Sequence, residues 1–222
     1  MSMTLEDVRD ECQTIQTIAQ SLAPNPNWLS LGDLALRRLC RAVAWEYLGA
    51  LAGNKSFPLV ASGSYTFAAG DLFTGTLKAL SAYWSGALPL TDGHPVDVVA
   101  LRNEPLLQDG TFGTAERPKA VVDGLTIRLY PLITAGTDGI LDCRYVKRQT
   151  AFAELSDSIQ ITDDAALALE LTMGAFAVQD KGRVPPGTAM TQLLMMADAE
   201  IAALNRKVKR SGLIVPMPPL GG

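Results

Sequence analysis

The sequence predicts an α+β protein, a four-helix body of two N-terminal and two C-terminal helices with a β-rich insertion in the middle. Three observations predict it. Apolar residues recur at helical spacing up to about residue 52, the spacing changes to period 2 between 57 and 150, and helical spacing returns after Thr162. The expected segments are 1–56 for the N-terminal helix pair, 57–150 for the insertion, 151–210 for the second pair and 211–222 for an extended tail.

The first helix is capped by Thr4, places Glu6 and Asp7 at the positive end of the dipole, and repeats Leu5, Val8, Cys12, Ile15, Ile18 and Leu22. After the Ala23–Asn27 break, a second helix is expected from about Leu31 to Ala52. Leu31, Leu34, Ala35, Leu39, Val43, Tyr47 and Leu51 fall on one face, and Gly53-Asn54 supplies its C-cap. Strands are expected at Phe57–Ala61, Ser64–Phe67, Thr76–Trp84, Ala120–Val122, Leu125–Pro131 and Ile140–Lys147, with a short helix or turn at Pro95–Leu101. Leu125, Ile127 and Leu129 alternate with Thr126, Arg128 and Tyr130, and Leu141, Cys143 and Tyr145 with Asp142 and Arg144. Asp123-Gly124 and Asp138-Gly139 read as hairpin turns, because glycine accepts positive φ. Thr162 is expected to cap a helix to about Gln179 with Leu167, Leu171, Phe176 and Ala177 inward. Thr188 opens a last helix with the stripe Met190, Leu193, Leu194, Ala197, Ile201, Leu204 and Val208.

Composition narrows the function. A net charge of −4 and a pI near 5.0 leave little positive field for duplex DNA. A 48% apolar content and a mean hydropathy of +0.15 exclude a disordered chain. Cys12, Cys40 and Cys143 form no disulfide framework or zinc spacing. With no apolar run of membrane length and no leader-like start, the expectation is a soluble protein made in a reducing cytoplasm, with no membrane partner.

Catalytic signals fail one by one. His94, the single histidine, has no GxSxG serine to serve, and a turn position explains it. The glycines of Gly49–Ser56 superficially resemble a phosphate loop, yet they are expected to close a helix rather than open one. Asp157, Asp163 and Asp164 lack converging ligands, and helix-start capping explains the last two. The basic run Arg206–Arg210 suits a helix C-terminus, and Met190, Met195 and Met196 read as adaptable packing. No catalytic residue, cofactor site or metal site is expected.

The ordered set Phe57–Val60, Leu77–Trp84, Pro89-Leu90, Pro118–Val121, Gly124–Pro131 and Cys143–Lys147, followed by the helix start at Asp163–Leu167, resembles the head-to-tail adaptor (neck, or head-completion) proteins of tailed phages. The resemblance covers roughly residues 4–210, and residues 92–113 depart from it. It implies a non-enzymatic virion protein of the neck, a ring usually of twelve copies beneath the portal. A tail or nozzle protein would lie on the distal side, and DNA would pass transiently through the lumen. Adaptors of this kind send a C-terminal segment onto the portal, which makes Leu213, Ile214, Val215, Pro216, Met217, Pro218, Pro219 and Leu220 the expected docking residues. The alternatives are a glycan- or ligand-binding tail-associated module, or a small metabolic enzyme.

Overall fold

Both ends of the chain build one α-helical unit, Met1–Ala50 with Gln149–Gly222, and Leu51–Arg148 build a second, β-rich unit. The computed structural model describes residues 3–15, 18, 22–84, 94–108, 118–132, 139–178 and 188–211. The α-helices described in full are α1 (Leu5–Thr14), α2 (Trp28–Ala42), α3 (Glu104–Gln108), α4 (Ala166–Ala177) and α5 (Thr188–Ser211).

In the helical unit, α1 starts at a capping box. The Thr4 hydroxyl accepts the Asp7 N–H, and the Asp7 carboxylate accepts the Thr4 N–H at 2.8 Å. Its start is tied to a distant loop, because Leu5 and Glu6 N–H groups donate to the carbonyls of Asp157 and Leu155. Helix α2 is capped by Asn27, whose side chain accepts the Ser30 N–H. The anticipated continuation to Ala52 does not occur: Val43 is extended, short 3₁₀ turns follow at Trp45–Tyr47 and Gly49–Leu51, and Gly53-Asn54 lies in a strand. Leu34 is half exposed rather than inward. Helix α1 likewise stops at Thr14, with Ile15 extended.

At the C-terminal side, a 3₁₀ turn (Asp163–Ala165) leads into α4, a 12-residue helix against which α1, α2 and α5 all pack. Its burial is nearly all round: Leu169, Leu171, Met173, Ala175 and Ala177 are buried, and Thr172 Oγ1 donates to the Ala168 carbonyl at 2.7 Å. Two expectations change here. Thr162 makes no side-chain cap, since its hydroxyl donates to the Tyr47 carbonyl, and Leu167 is half exposed. The α5 stripe buries Leu193, Ala197, Ile201 and Leu204.

Among the described residues the β unit has two four-stranded sheets. The first is ordered β1 (Ala52–Pro58), β8 (Gly139–Lys147), β3 (Phe73–Trp84), β4 (His94–Pro95), all neighbours antiparallel. The second is ordered β2 (Ser64–Thr66), β7 (Thr126–Tyr130), β6 (Lys119–Asp123), β5 (Asp97–Val99), the β5–β6 pair being parallel. Strands β4 and β5 replace the short helix or turn expected at Pro95–Leu101. The parallel pair needs a crossover, which includes a 3₁₀ turn (Leu101–Asn103) and α3.

One core draws Phe57, Phe73, Leu80, Leu141, Cys143 and Tyr145 from the first sheet and Tyr65, Ile127 and Leu129 from the second. The alternation of β8 is therefore real, with Leu141, Cys143 and Tyr145 buried. Strands β6 and β7 form the hairpin expected at Asp123-Gly124: Gly124 has φ 58° and opens a two-residue loop, which leaves Leu125 exposed in the turn. The second expected turn, Asp138-Gly139, lies only partly within the described residues. Strands β7 and β8 belong to different sheets, and Asp138 lies outside the described residues.

Buried thiols give the fold a pH signature. Cys12 and Cys143 are fully buried, and burial pushes both thiols up to about 12, while Cys12 Sγ donates to the Glu170 carbonyl. An unfolded chain releases these protons near pH 9 and the folded one retains them. Stability from this source is therefore intact below pH 9 and falls as pH rises toward 12, by about 1.4 kcal/mol per pH unit per thiol. Urea unfolding at successive alkaline pH values, with and without Cys12→Ala and Cys143→Ala, reads this slope.

Candidate assembly surface

The exposed face of the helical unit begins with how α2 and α5 are joined. Arg38 donates to both oxygens of the Asp198 carboxylate at 2.8 and 3.0 Å. Further along α5, Asn205 Oδ1 accepts the Ala44 N–H at 2.7 Å and its Nδ2 donates to the Ala42 carbonyl at 3.0 Å. The Asn205 amide thus binds backbone groups at and just beyond the end of α2. Both contacts join the C-terminal part of α2 and the residues just after it to α5. One turn before Arg38 stands Leu34, and one turn before Asp198 stand Leu194 and Met195.

Leu34 is 51% exposed, Met195 67% and Met196 55%. Isolated exposed leucines are ordinary, but two adjacent methionines left outward on one helix offer apolar surface to a partner. Methionine suits such a surface, because its unbranched thioether adapts to a partner's shape. Met195 and Met196 are therefore not internal packing. The sequence held the signal: neither belongs to the stripe that α5 turns inward.

A second apolar group lies in the β unit. Leu72 is half exposed and has φ 53°, a left-handed conformation that a leucine rarely adopts. The Leu72 carbonyl accepts the Arg148 N–H at 2.7 Å, which holds the conformation in place. Leu125 accompanies it at the same end of the sheets, where its carbonyl accepts the Phe67 N–H and Phe67 stacks on Phe73 at 4.1 Å.

Several of the polar residues singled out in the sequence make structural contacts. His94 pairs through its backbone with Ala82 as part of β4. Within Gly49–Ser56, Gly49 has φ 54° at a 3₁₀ turn and Gly53 to Ser56 lie in β1, so no helix N-terminus faces a ligand. Lys55 pairs with Asp71 at 2.5 Å, and that contact holds the Asp71 carboxyl below its usual range. Asp157 accepts the N–H groups of Glu154 and Ala153, which lowers its pKa in the same way. Asp163 and Asp164 stand exposed at their 3₁₀ turn, and Arg206 Nε donates to the Ala202 carbonyl of its own helix. Among the described residues no group of three His, Cys, Asp or Glu side chains could hold a metal ion. No described helix is long and apolar enough to cross a membrane. The docking residues expected at 213–220 lie outside the described residues.

Sequence reasoning missed one polar cluster. Glu104 of α3 is 8% exposed; it accepts the Tyr130 hydroxyl at 2.7 Å and lies 3.1 Å from Arg128 Nε. Arg128 also reaches Asp123. The cluster fixes α3 to the outer face of the second sheet, where Leu107 packs with Val121 and Tyr130. Glu104→Ala strands the tyrosine hydroxyl and one guanidinium face, and is expected to cost about 1–3 kcal/mol in urea unfolding. Glu104→Gln, which still accepts the Tyr130 hydroxyl, is expected to recover part of that loss.

Compared with known proteins, the chain matches no family model and no curated protein.

Proposed function

We propose that the chain is a non-enzymatic virion protein, the head-to-tail adaptor of a tailed phage. It forms a ring under the portal, links the capsid vertex to the tail in the neck, and lets DNA pass. The observation that carries this reading is the exposure of Met195 and Met196, side by side on α5, with Leu34 exposed on α2. A surface of this kind suits burial against another protein. The order of elements also supports it, with a helical unit built from both chain ends around a β-rich insertion, as the resemblance implies. The acidic balance fits a conduit wall, since strong phosphate contacts would retard sliding DNA.

Co-sedimentation with purified cognate portal assemblies tests the proposal. Saturable binding to the portal, together with duplex-DNA affinity no tighter than about micromolar at physiological salt, is the expected result. Failure to bind the portal, or tight and steeply salt-dependent DNA binding, contradicts it. Binding of a glycan without portal binding would favour a tail-associated module.

A further inference from the structure

The two sheets of the β unit are joined on one side only. There a single stretch of chain serves both: β4 pairs with β3, and the Val96 N–H donates to the Leu80 carbonyl. The Asp97 N–H then donates to the Pro118 carbonyl, as β5 takes up its pairing with β6. On the other side the sheets end at β1 and β2, with the Phe57 and Tyr65 rings 5.8 Å apart in the shared core. Among the described residues, each of these two strands has a neighbour on one side alone.

The register shows which backbone groups of β1 are left over. The Leu59 N–H donates to the Gly139 carbonyl one step past the last β1–β8 pair, so hydrogen-bonded pairs recur at every second residue back along the ladder. Gly53, Lys55 and Phe57 therefore turn their N–H and C=O groups to β8. Ala52, Asn54 and Ser56 turn theirs away from it, and the Pro58 carbonyl follows. Asn54 and Ser56 are exposed, and no described residue bonds their outward backbone groups. Open edges are commonly guarded by a charge or a proline. Here Lys55 shares the inward face with Phe57, its ammonium bound to Asp71 and 5.2 Å from the Phe57 ring, so its charge does not stand on the edge. Ser56 bonds Asp142 across the outer face, and Pro58 interrupts only the end of the strand.

We propose that β1 is a docking edge for an extended segment of another protein, which adds to the first sheet as a further strand. The unpaired groups set the chemistry of that segment. Donors and acceptors that repeat at every second residue, about 7 Å apart, match another extended backbone. Residues directly opposite one another share a face of the sheet. Segment residues opposite Ala52, Asn54 and Ser56 thus bond to β1 and send their side chains to the outer face, where polar ones suit Ser56 and Asp142. Those opposite Gly53, Lys55 and Phe57 point to the core side, where an apolar one suits the Phe57 ring. This contact stands or falls apart from the adaptor reading, because its probe is a peptide and not a portal.

Nuclear magnetic resonance of the full chain tests it. In the free protein the Asn54 and Ser56 amides are expected to exchange with solvent at least about a hundredfold faster than those of Lys55 and Phe57. The probe is a capped heptapeptide that alternates threonine and valine and has threonine at both ends. N-methylation of its valines leaves the threonine N–H groups free to bond β1 and keeps the peptides from pairing with one another. N-methylation of its threonines removes the donors that face β1. At about millimolar concentration the first form is expected to shift the Asn54 and Ser56 amide signals saturably, and the second to bind at least about tenfold more weakly. Asn54→Pro deletes an outward donor and no β1–β8 bond, and is expected to weaken binding of the first form at least about tenfold. Circular dichroism confirms that this variant is folded, and the two peptides decide the matter if it is not. Asn54 and Ser56 amides as protected as Lys55 and Phe57 in the free protein, equal binding of the two peptides, or no saturable shift overturns the proposal.

Discussion

Gly53→Ala is expected to destabilise the β unit by about 3 kcal/mol, the upper end of what overpacking costs. A Cβ at this position would stand 2.4 Å from Cε2 and Cζ of Tyr145, its partner across the β1–β8 ladder. The ring has little room to retreat. Its hydroxyl donates to the Asp71 carbonyl at 3.0 Å, and its edges meet Phe67 and Phe73 with centroids at 4.9 and 5.5 Å. A tyrosine covering a cross-strand glycine is a recognised way to make an edge strand tolerate the missing side chain. Thermal unfolding checks the prediction, with a fall of well over about 10 °C for a loss of this size in a domain of about 100 residues. Gly70→Ala is the control, because no atom lies within 4 Å of its added Cβ, and its effect is expected to stay within about 0.5 kcal/mol.

Deleting residues 212–222 is expected to weaken portal attachment by at least about a hundredfold while leaving the melting temperature unchanged. The stability half of this prediction follows from the cores, whose described members end at Leu204. The binding half belongs to the proposed function. The segment contains Leu213, Ile214, Val215, Met217 and Leu220 among three prolines. Burying one such side chain is worth about 1.5–3 kcal/mol, and proline limits the entropy lost on docking. Repetition around a ring then multiplies the effect through local concentration. A truncated chain that decorates portals at the native concentration removes the tail from the docking role.

Legibility in the sequence followed the range of the interactions. Thr4 and Asp7 form the expected capping box because both partners lie within one turn, and Leu141, Cys143 and Tyr145 are buried because a strand's two faces repeat every two residues. The end of α2 was not legible. Its last carbonyl is bound by Asn205, 163 residues further on, and Val43 is released into an extended conformation. Gly53 resembles a helix cap, and only Tyr145, far along the chain, makes it a strand residue. Thr162 resembles an N-cap by composition, but its hydroxyl is taken by the Tyr47 carbonyl.

The candidate surface divides in the same way. Met195 and Met196 could be read as outward from their offset to the α5 stripe. Leu34 could not, because it follows Leu31 by three residues and adjoins Ala35, a spacing that fits the edge of the buried stripe as well as the exposed face. Its exposure in the folded unit is what places it outward. The acidic α1 face was visible in sequence as helix-start charge.

The central claim is that this chain completes the portal vertex as a ring. Electron microscopy of cognate portal assemblies incubated with the full-length protein tests it most directly. The expected result is an added ring of density, concentric with the portal channel and attached at the portal's distal end, with the rotational symmetry of repeated identical copies. Bare portals at saturating protein, or protein bound as scattered single copies away from the channel axis, would contradict it.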